Sequence, residues 1–426
     1  MTLCPFEDAD VAHLLPLLHT RAAFDLRVGA RTLLAAQRAA FPEASGLALH
    51  TRPHLAAVTA EEHPGVPVRT LPGGGVLFVN ARWRPRPGPA LDAVRAAVGT
   101  RQARAFVQGE TLVAFWTPGS PLDRVPLDRF QGDVLGRETA EGVPEEAVDG
   151  VDLVSRLWHV VDDVEGRVAE DVADLGGLGT RDGADVRDGA RLVGAEAIHL
   201  APGAVVRPGA VLSAEDGPVR LEAGAVVEEH ALVRGPCWLG PGAVVKAGGR
   251  VDGSALGPQA KVGGEVHASV VVGLSNKAHD GYLGNSYLGR WCNLGAGTDT
   301  SNLRNDYGEV TLWDAVANDF LPTGRQFLGL VMADHAKCAI GTRFNTGAVV
   351  GVACNWYGAR FPPRRLPAFS WGGDDGLETY RLDRALRVAE AVMARRNRPL
   401  TEAGRALLAA VFEATAAARA RLVGGA

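Results

Sequence analysis

The stretch from Leu221 to Asp252, LEAGAVVEEHALVRGPCWLGPGAVVKAGGRVD, decides the fold. In it Leu221, Val227, Val233, Leu239, Val245 and Val251 recur at every sixth residue, and Leu200, Val206 and Leu212 repeat the same step upstream. The residues between them are Gly, Pro, Ala and short polar types. An amphipathic helix places its apolar stripe at steps of three and four, and a half-buried strand alternates with period two, so neither explains a period of six. The hexapeptide β-helix does. Each aliphatic residue points into the bore of a prism, short parallel strands stack on the coils above and below, and glycines take the corners that need positive φ. The register shifts at Leu256 and Val262, returns as Tyr282, Leu288 and Leu294, and is heard again around Ile340, Thr346 and Val352. Loops are expected to leave the prism at those interruptions.

Outside the repeat the texture changes. Val76–Val79 follows the turn Gly73, Gly74, Gly75 and reads as a buried strand, while Leu33–Ala40 and Leu91–Val98 read as helices. Strands alternating with helices suggest a three-layer α/β domain. The Asp-, Gly- and Arg-rich residues 174–190 read as the linker into the prism. After the Pro-rich stretch Phe361–Pro367, Leu382, Leu386, Ala389 and Met393 share one helical face, and an Ala-rich segment after Pro399 and Thr401 reads as a second helix. The expected organisation is α/β plus β: a Rossmann-like α/β domain over 1–185, a left-handed parallel β-helix over 186–365 and a helical extension over 366–426.

Composition narrows the function. The chain has 426 residues, 46% hydrophobic and 22% charged, which excludes wholesale disorder. No window approaches 18 apolar residues, so no membrane span is expected. The net charge of −5 argues against nucleic acid as a partner. The five cysteines are scattered, with no CxxC pair, and read as reduced thiols in a cytoplasmic protein. Glycine is in excess, 53 of 426 residues, as the prism corners require. Of 44 Lys+Arg only Lys246, Lys261, Lys277 and Lys337 are lysine, all within the prism region. A compact ammonium on a flexible stem suits phosphate binding.

Polar side chains concentrate in one window. Eight of the ten asparagines, Asn276, Asn285, Asn293, Asn302, Asn305, Asn318, Asn345 and Asn355, fall between 276 and 355, with Lys277, His279, Asp280, Asp334, His335 and Lys337 among them. Asparagine also suits β-helix corners, because it tolerates left-handed backbone. His279 is the leading candidate for a general base, its tautomer set by Asp280 or a backbone carbonyl, and His335 is the alternative.

The run Asn276, Lys277, Ala278, His279, then Tyr282, Leu283, Gly284, then Asn293, Leu294, Gly295, Ala296, Gly297, Thr298 resembles the acetyltransferase half of the bifunctional GlmU enzymes. Those enzymes acetylate glucosamine 1-phosphate and uridylylate the product to UDP-N-acetylglucosamine. Leu14 to Leu34 resembles the segment after the nucleotide loop of sugar nucleotidyltransferases. The Val262–Glu265 turn, Ser301 to Asn305 and Ser370 to Gly373 extend the resemblance, along most of the chain, to a divergent GlmU-like branch of sugar nucleotidyltransferases.

The resemblance implies a homotrimer with acetyl-CoA lying along the cleft between prisms. It implies His279 as base, Tyr282, Asn293 and Asn302 placing the sugar, Lys277 or Lys337 on phosphate, and the Gly295, Ala296, Gly297, Thr298 coil docking pantetheine. In the first domain Arg21 and Arg27 would hold the phosphates of a nucleoside triphosphate, and Asp162 or Asp163 would carry Mg²⁺. That domain lacks the family's Gly-rich loop and contains no lysine, and Val79, Asn80, Ala81, Arg82 stand where a metal-binding Asp is expected. Two other readings follow: a Mg²⁺-dependent sugar-1-phosphate nucleotidyltransferase using UTP or dTTP, with the β-helix for assembly, and a non-catalytic ligand-binding scaffold.

Overall fold

The computed structural model describes residues 1–121 and 124–423, and divides into two compact units. The first comprises Met1–Leu26 and Arg31–Leu157, and the second Arg27–Ala30 and Trp158–Ala426.

Unit 1 is built on a mixed six-stranded sheet of order β2-β1-β3-β5-β4-β6. Its strands are β1 (Thr2–Phe6), β2 (Gly46–Leu47), β3 (Val76–Asn80), β4 (Arg104–Gln108), β5 (Thr111–Thr117) and β6 (Glu145–Ala147). Alternate residues of a strand face opposite sides of its sheet. On one side Leu3, Leu77, Val79, Phe106 and Val113 pack with Ala90, Leu91 and Val94. On the other, Cys4, Phe6, Phe78 and Phe115 pack with Phe130 and Leu135. Both faces are therefore covered, as the α/β reading requires. The helices are α1 (Leu33–Ala40), capped by Thr32 Oγ1 accepting from Ala35 N at 3.2 Å, α2 (Ala56–Glu62), α3 (Pro89–Ala97) and α4 (Leu127–Phe130).

Unit 2 opens with α5 (Val164–Leu175), which packs on the strand Cys237–Leu239, and continues as a parallel β-solenoid. Its first strand, Asp185–Val186, lies inside the predicted linker. Three columns of strands form its faces, in sheets of 11, 9 and 6 strands. The bore holds Leu200, Val206, Leu212, Leu221, Val227, Val233, Leu239, Val245 and Val251, the predicted set, all buried. Each fully buried valine or leucine contributes roughly 1.5–3 kcal/mol.

The phase is different after Val262. Leu283, not Tyr282, points inward, because Val266 pairs with Leu283 and Glu265 with Tyr282. Met332, Cys338, Phe344, Val350 and Trp356 fill the later bore, and Ile340 is 80% exposed at a corner. Short coils between Val262 and Leu288 advance the phase, and the apolar character of Ile340 and Val352 hides the shift. The corners are also not all glycine: Leu274, Trp291, His335, Ala353 and Phe369 hold φ near +60°. An antiparallel hairpin, Val310–Asp314 with Asp319–Arg325, leaves the solenoid after the strand Asp299–Thr300.

The solenoid sheet extends to Ser370–Gly373 and Gly376–Thr379. Three helices rather than two follow: α6 (Leu382–Ala394), α7 (Glu402–Ala414) and α8 (Ala416–Val423). All five cysteines are free and buried. Among the described residues no helix is long and apolar enough to cross a membrane.

Candidate functional site

In the solenoid strand column that contains Val245, one residue of each strand faces the bore and its neighbour faces out. The outward positions in register are Lys261, Asn276, Asn293, Lys337, Asn355 and Trp371. Stacked coils lie about 4.8 Å apart, so residues distant in sequence become a polar ladder. Within it Asn276 Nδ2 donates to Asn293 Oδ1 at 3.4 Å, and Asn276 Oδ1 accepts from Arg396 Nη2 at 2.9 Å. With its oxygen engaged, the Asn293 amide has its N–H groups left as donors.

His279 lies at the corner that follows Asn276 and Lys277 and is exposed. Among the described residues its imidazole has no hydrogen-bond partner, Asp280 included. One strand on, Asn302 Nδ2 donates to the Tyr282 hydroxyl at 3.0 Å and to Asn285 Oδ1 at 2.7 Å. Burial pushes the Tyr282 hydroxyl pKa up, so it stays protonated. Asp299 Oδ1 accepts from Tyr282 N at 2.8 Å, tying the next coil to the same place.

Lys277 departs from expectation. It pairs in register with Val262, an inward position, and is 2% exposed. Its Nζ donates to the carbonyls of Gly263 at 3.1 Å and His279 at 2.6 Å. The ammonium is thus turned into the bore and does not reach a phosphate at the surface. Burial lowers its pKa to about 8, against the attraction of Asp299 and Asp280. Between that value and the ordinary 10.5 the unfolded chain holds a proton the folded chain has lost, so folding stability rises from about pH 8 to 10.5. Lys277→Met is expected to flatten that rise in urea midpoints measured across this range. Lys337, also lowered to about 8 by burial, keeps the remainder of the slope.

Lys337 Nζ donates to the His335 carbonyl at 2.8 Å and retains donors for an outside group. His335 itself is buried, stacked on Trp291 with ring centroids 6.2 Å apart. The Gly295, Ala296, Gly297, Thr298 corner also differs from expectation. The N–H groups of Gly295, Gly297 and Thr298 donate to Cys338, Asp280 and Gly295 carbonyls, so among the described residues only the Ala296 N–H of this corner lacks a backbone acceptor. A Cβ at Gly295 would lie 2.4 Å from the Ile340 amide nitrogen, so the corner must be glycine for the coils to stack.

In unit 1 the ends of β1 and β3 carry a buried ionic network. Glu7 accepts from Ala23 N at 2.8 Å, from the Thr51 hydroxyl at 2.9 Å and from Arg52 Nε at 3.1 Å. Burial raises its pKa, and Arg52 and the amide donors outweigh that and hold it below the usual range. Arg82, fully buried, donates to Asp8 Oδ1 at 2.7 Å, Asp10 Oδ2 at 2.8 Å and Ser155 Oγ at 2.9 Å.

These residues do not fit Mg²⁺, since the expected carboxylate position holds Asn80 and a guanidinium follows it. Asp162 is held by Arg325, with Nε at 2.8 Å, and Asp163 caps α5 by accepting from Gly166 N at 3.2 Å. Neither is free for a cation. Asp25, Glu62 and His63 do bring three ligand atoms within 4.8 Å of one another. Arg21 is buried, and the Arg27 guanidinium lies 4.5 Å from the Trp238 ring centroid and donates to Ala30 O, so Arg27 is held inside unit 2 rather than presented to a nucleotide.

Residues 3–176 match the sugar nucleotidyl transferase family. The bifunctional protein GlmU of Methanocaldococcus jannaschii is 36% identical over 95 residues, 22% of each chain. That of Anaeromyxobacter dehalogenans strain 2CP-1 is 30% identical over 260 residues, 54% of this chain and 51% of the relative. Over these stretches the chain is similar to the GlmU proteins. It spans about half, or less, of the length of these GlmU relatives. A UDP-N-acetylglucosamine acyltransferase from Campylobacter jejuni aligns with 54% of this chain and 94% of its own, at 10% identity and a TM-score of 0.23.

The sequence reading missed Asn285, Arg396 and the inward turn of Lys277. Asn285 carried a signal, being one of the clustered asparagines. Arg396 carried none, because its partner Asn276 is 120 residues away.

Proposed function

We propose that the solenoid of this GlmU-like chain is an acetyl-CoA-dependent N-acetyltransferase acting on a hexosamine phosphate. The acceptor amine attacks the thioester carbonyl, the new C–N bond forms and the C–S bond breaks. His279 takes the amine proton and passes it to the departing sulfur, so that CoA leaves as its thiol. Tyr282, Asn302 and Asn293 place the sugar, and Lys337 faces its phosphate. The observation that carries this reading is the exposed, unpartnered His279 imidazole between the Asn276–Asn293–Lys337 ladder and the Tyr282–Asn302 pair. His335, buried on Trp291, is the weaker base. The test mixes purified protein with acetyl-CoA and glucosamine 1-phosphate and measures free thiol. No release sinks the reading.

The acceptor and CoA would meet in clefts between neighbouring prisms of a cytoplasmic homotrimer. Light scattering is expected to give three times the chain mass of 44.7 kDa, and a monomer would contradict it.

The family match of residues 3–176 favours a second activity, nucleotidyl transfer from UTP or dTTP to a hexose 1-phosphate. Against it stand the Arg82 network and the missing Gly-rich loop, so unit 1 either works through substituted residues or is kept for binding. Pyrophosphate release on mixing the two substrates with Mg²⁺ decides between them.

A further inference from the structure

The carboxyl ends of β1 and β3 lie side by side, with Phe6 in register with Asn80, and an open α/β sheet presents its ligand groups at such an edge. The stretch Val79 to Arg82 is where a metal-binding carboxylate is expected. The chain fills that place from within. Four oxygen atoms surround the Arg82 guanidinium: Asp8 Oδ1 accepts from Nε at 2.7 Å, Asp8 Oδ2 and Asp10 Oδ2 accept from Nη2 at 2.5 and 2.8 Å, and Ser155 Oγ accepts from Nη1 at 2.9 Å. Among the described residues no nitrogen or sulfur atom joins them. An all-oxygen surround that includes two carboxylates is the kind a hard divalent cation takes. Here a guanidinium sits in it.

Arg82 is also held in place by the backbone around it. It is fully buried, its own N–H donates to Asn80 Oδ1 at 3.0 Å, and Gln37 Nε2 ties down the Asn80 and Trp83 carbonyls at 2.9 and 2.8 Å. Asp8 gives both oxygens to one guanidinium, the bidentate form of a charge-assisted hydrogen bond, and Asn80 Nδ2 adds a third donor at 2.7 Å. An octahedral Mg²⁺ needs such oxygens at about 2.0–2.1 Å, so ion and guanidinium compete for one space. We propose that Arg82 is the built-in cation of unit 1: it supplies at the ends of β1 and β3 the positive charge a divalent metal would bring, and it masks a cation site made by Asp8, Asp10 and Ser155. The inference concerns unit 1 alone and holds whether or not the solenoid transfers an acetyl group. Any ligand taken at this edge then meets a fixed single charge and needs no chelatable ion. The sequence marks the missing carboxylate, but not that Asp8 and Asp10 are already engaged by Arg82.

Hydrogen exchange of the β1 and β3 amides, read by mass spectrometry on the full chain with and without millimolar Mn²⁺, tests this, because Mn²⁺ takes the same carboxylate and water ligands as Mg²⁺. Glu62→Ala is carried in every chain, so that the Asp25, Glu62 and His63 group of unit 1 cannot answer in its place. With Arg82 present, exchange is expected to be the same with and without Mn²⁺. Arg82→Ala is expected to exchange faster, and Mn²⁺ to slow it again by about tenfold, the protection given by a ligand at roughly ten times its Kd. Adding Asp8→Asn and Asp10→Asn to Arg82→Ala should abolish that response. If Arg82→Ala is unfolded in unit 1 without metal, recovery of protection on adding Mn²⁺ supports the proposal equally, and Arg82→Gln, which keeps more of the volume, repeats the comparison. The proposal is overturned if Mn²⁺ slows exchange while Arg82 is in place, if neither arginine variant responds to Mn²⁺, folded or not, or if the response survives the loss of both carboxylates.

Discussion

His279→Ala is expected to lower the rate of CoA thiol release by about 10²- to 10⁴-fold, the usual worth of a positioned general base. The loss should fall on kcat, with KM for the acceptor little changed, because Asn293, Tyr282 and Asn302 remain. The fold should be unaffected. The imidazole is exposed and unpartnered among the described residues, and the bond that Lys277 makes in this corner is to the His279 carbonyl, which alanine retains. His279→Gln separates proton transfer from hydrogen bonding, since glutamine can accept and donate hydrogen bonds but cannot carry the proton. Both variants should be equally slow. Full activity in either would remove His279 from the mechanism.

The second large effect is on stability. Arg82→Met is expected to cost unit 1 about 3–5 kcal/mol, the range for removing one partner of a buried ion pair. Methionine approximates the volume but leaves Asp8 buried, with only the Asn80 amide at 2.7 Å to satisfy it. Hydrogen exchange at β1 and β3 amides reads this loss in unit 1 separately from the solenoid. Asp8→Asn combined with Arg82→Met should recover part of it, because no buried charge is then left unpaired and Asp10, the other carboxylate on Arg82, is half exposed to water. If the single variant exchanges like the parent, the network is not what holds the ends of these strands.

The two effects illustrate what was legible. The period of six from Leu200 to Val251 declared a stack of coils, because each inward residue meets the same bore and no other architecture repeats that demand. His279 could be named as an imidazole within the polar window, and Tyr282 and Asn293 through the resemblance of their run to the GlmU acetyltransferase half. The phase error at Ile340 has a local cause. An apolar residue at a corner and one in the bore look alike in sequence, and only the pairing of Asn293 with Lys337 and Leu294 with Cys338 tells them apart.

By itself, the amino-acid order determined the two architectures and the clustering of polar side chains between residues 276 and 355. Local spacing and side-chain type are enough for these. Tertiary structure alone decided which way each polar side chain turns and with whom it meets. It turned Lys277 into the bore, set Arg396 on Asn276 and sealed Arg82 against Asp8. Those pairings depend on stacking and folding back between residues far apart in the chain, and a one-dimensional pattern holds no record of them.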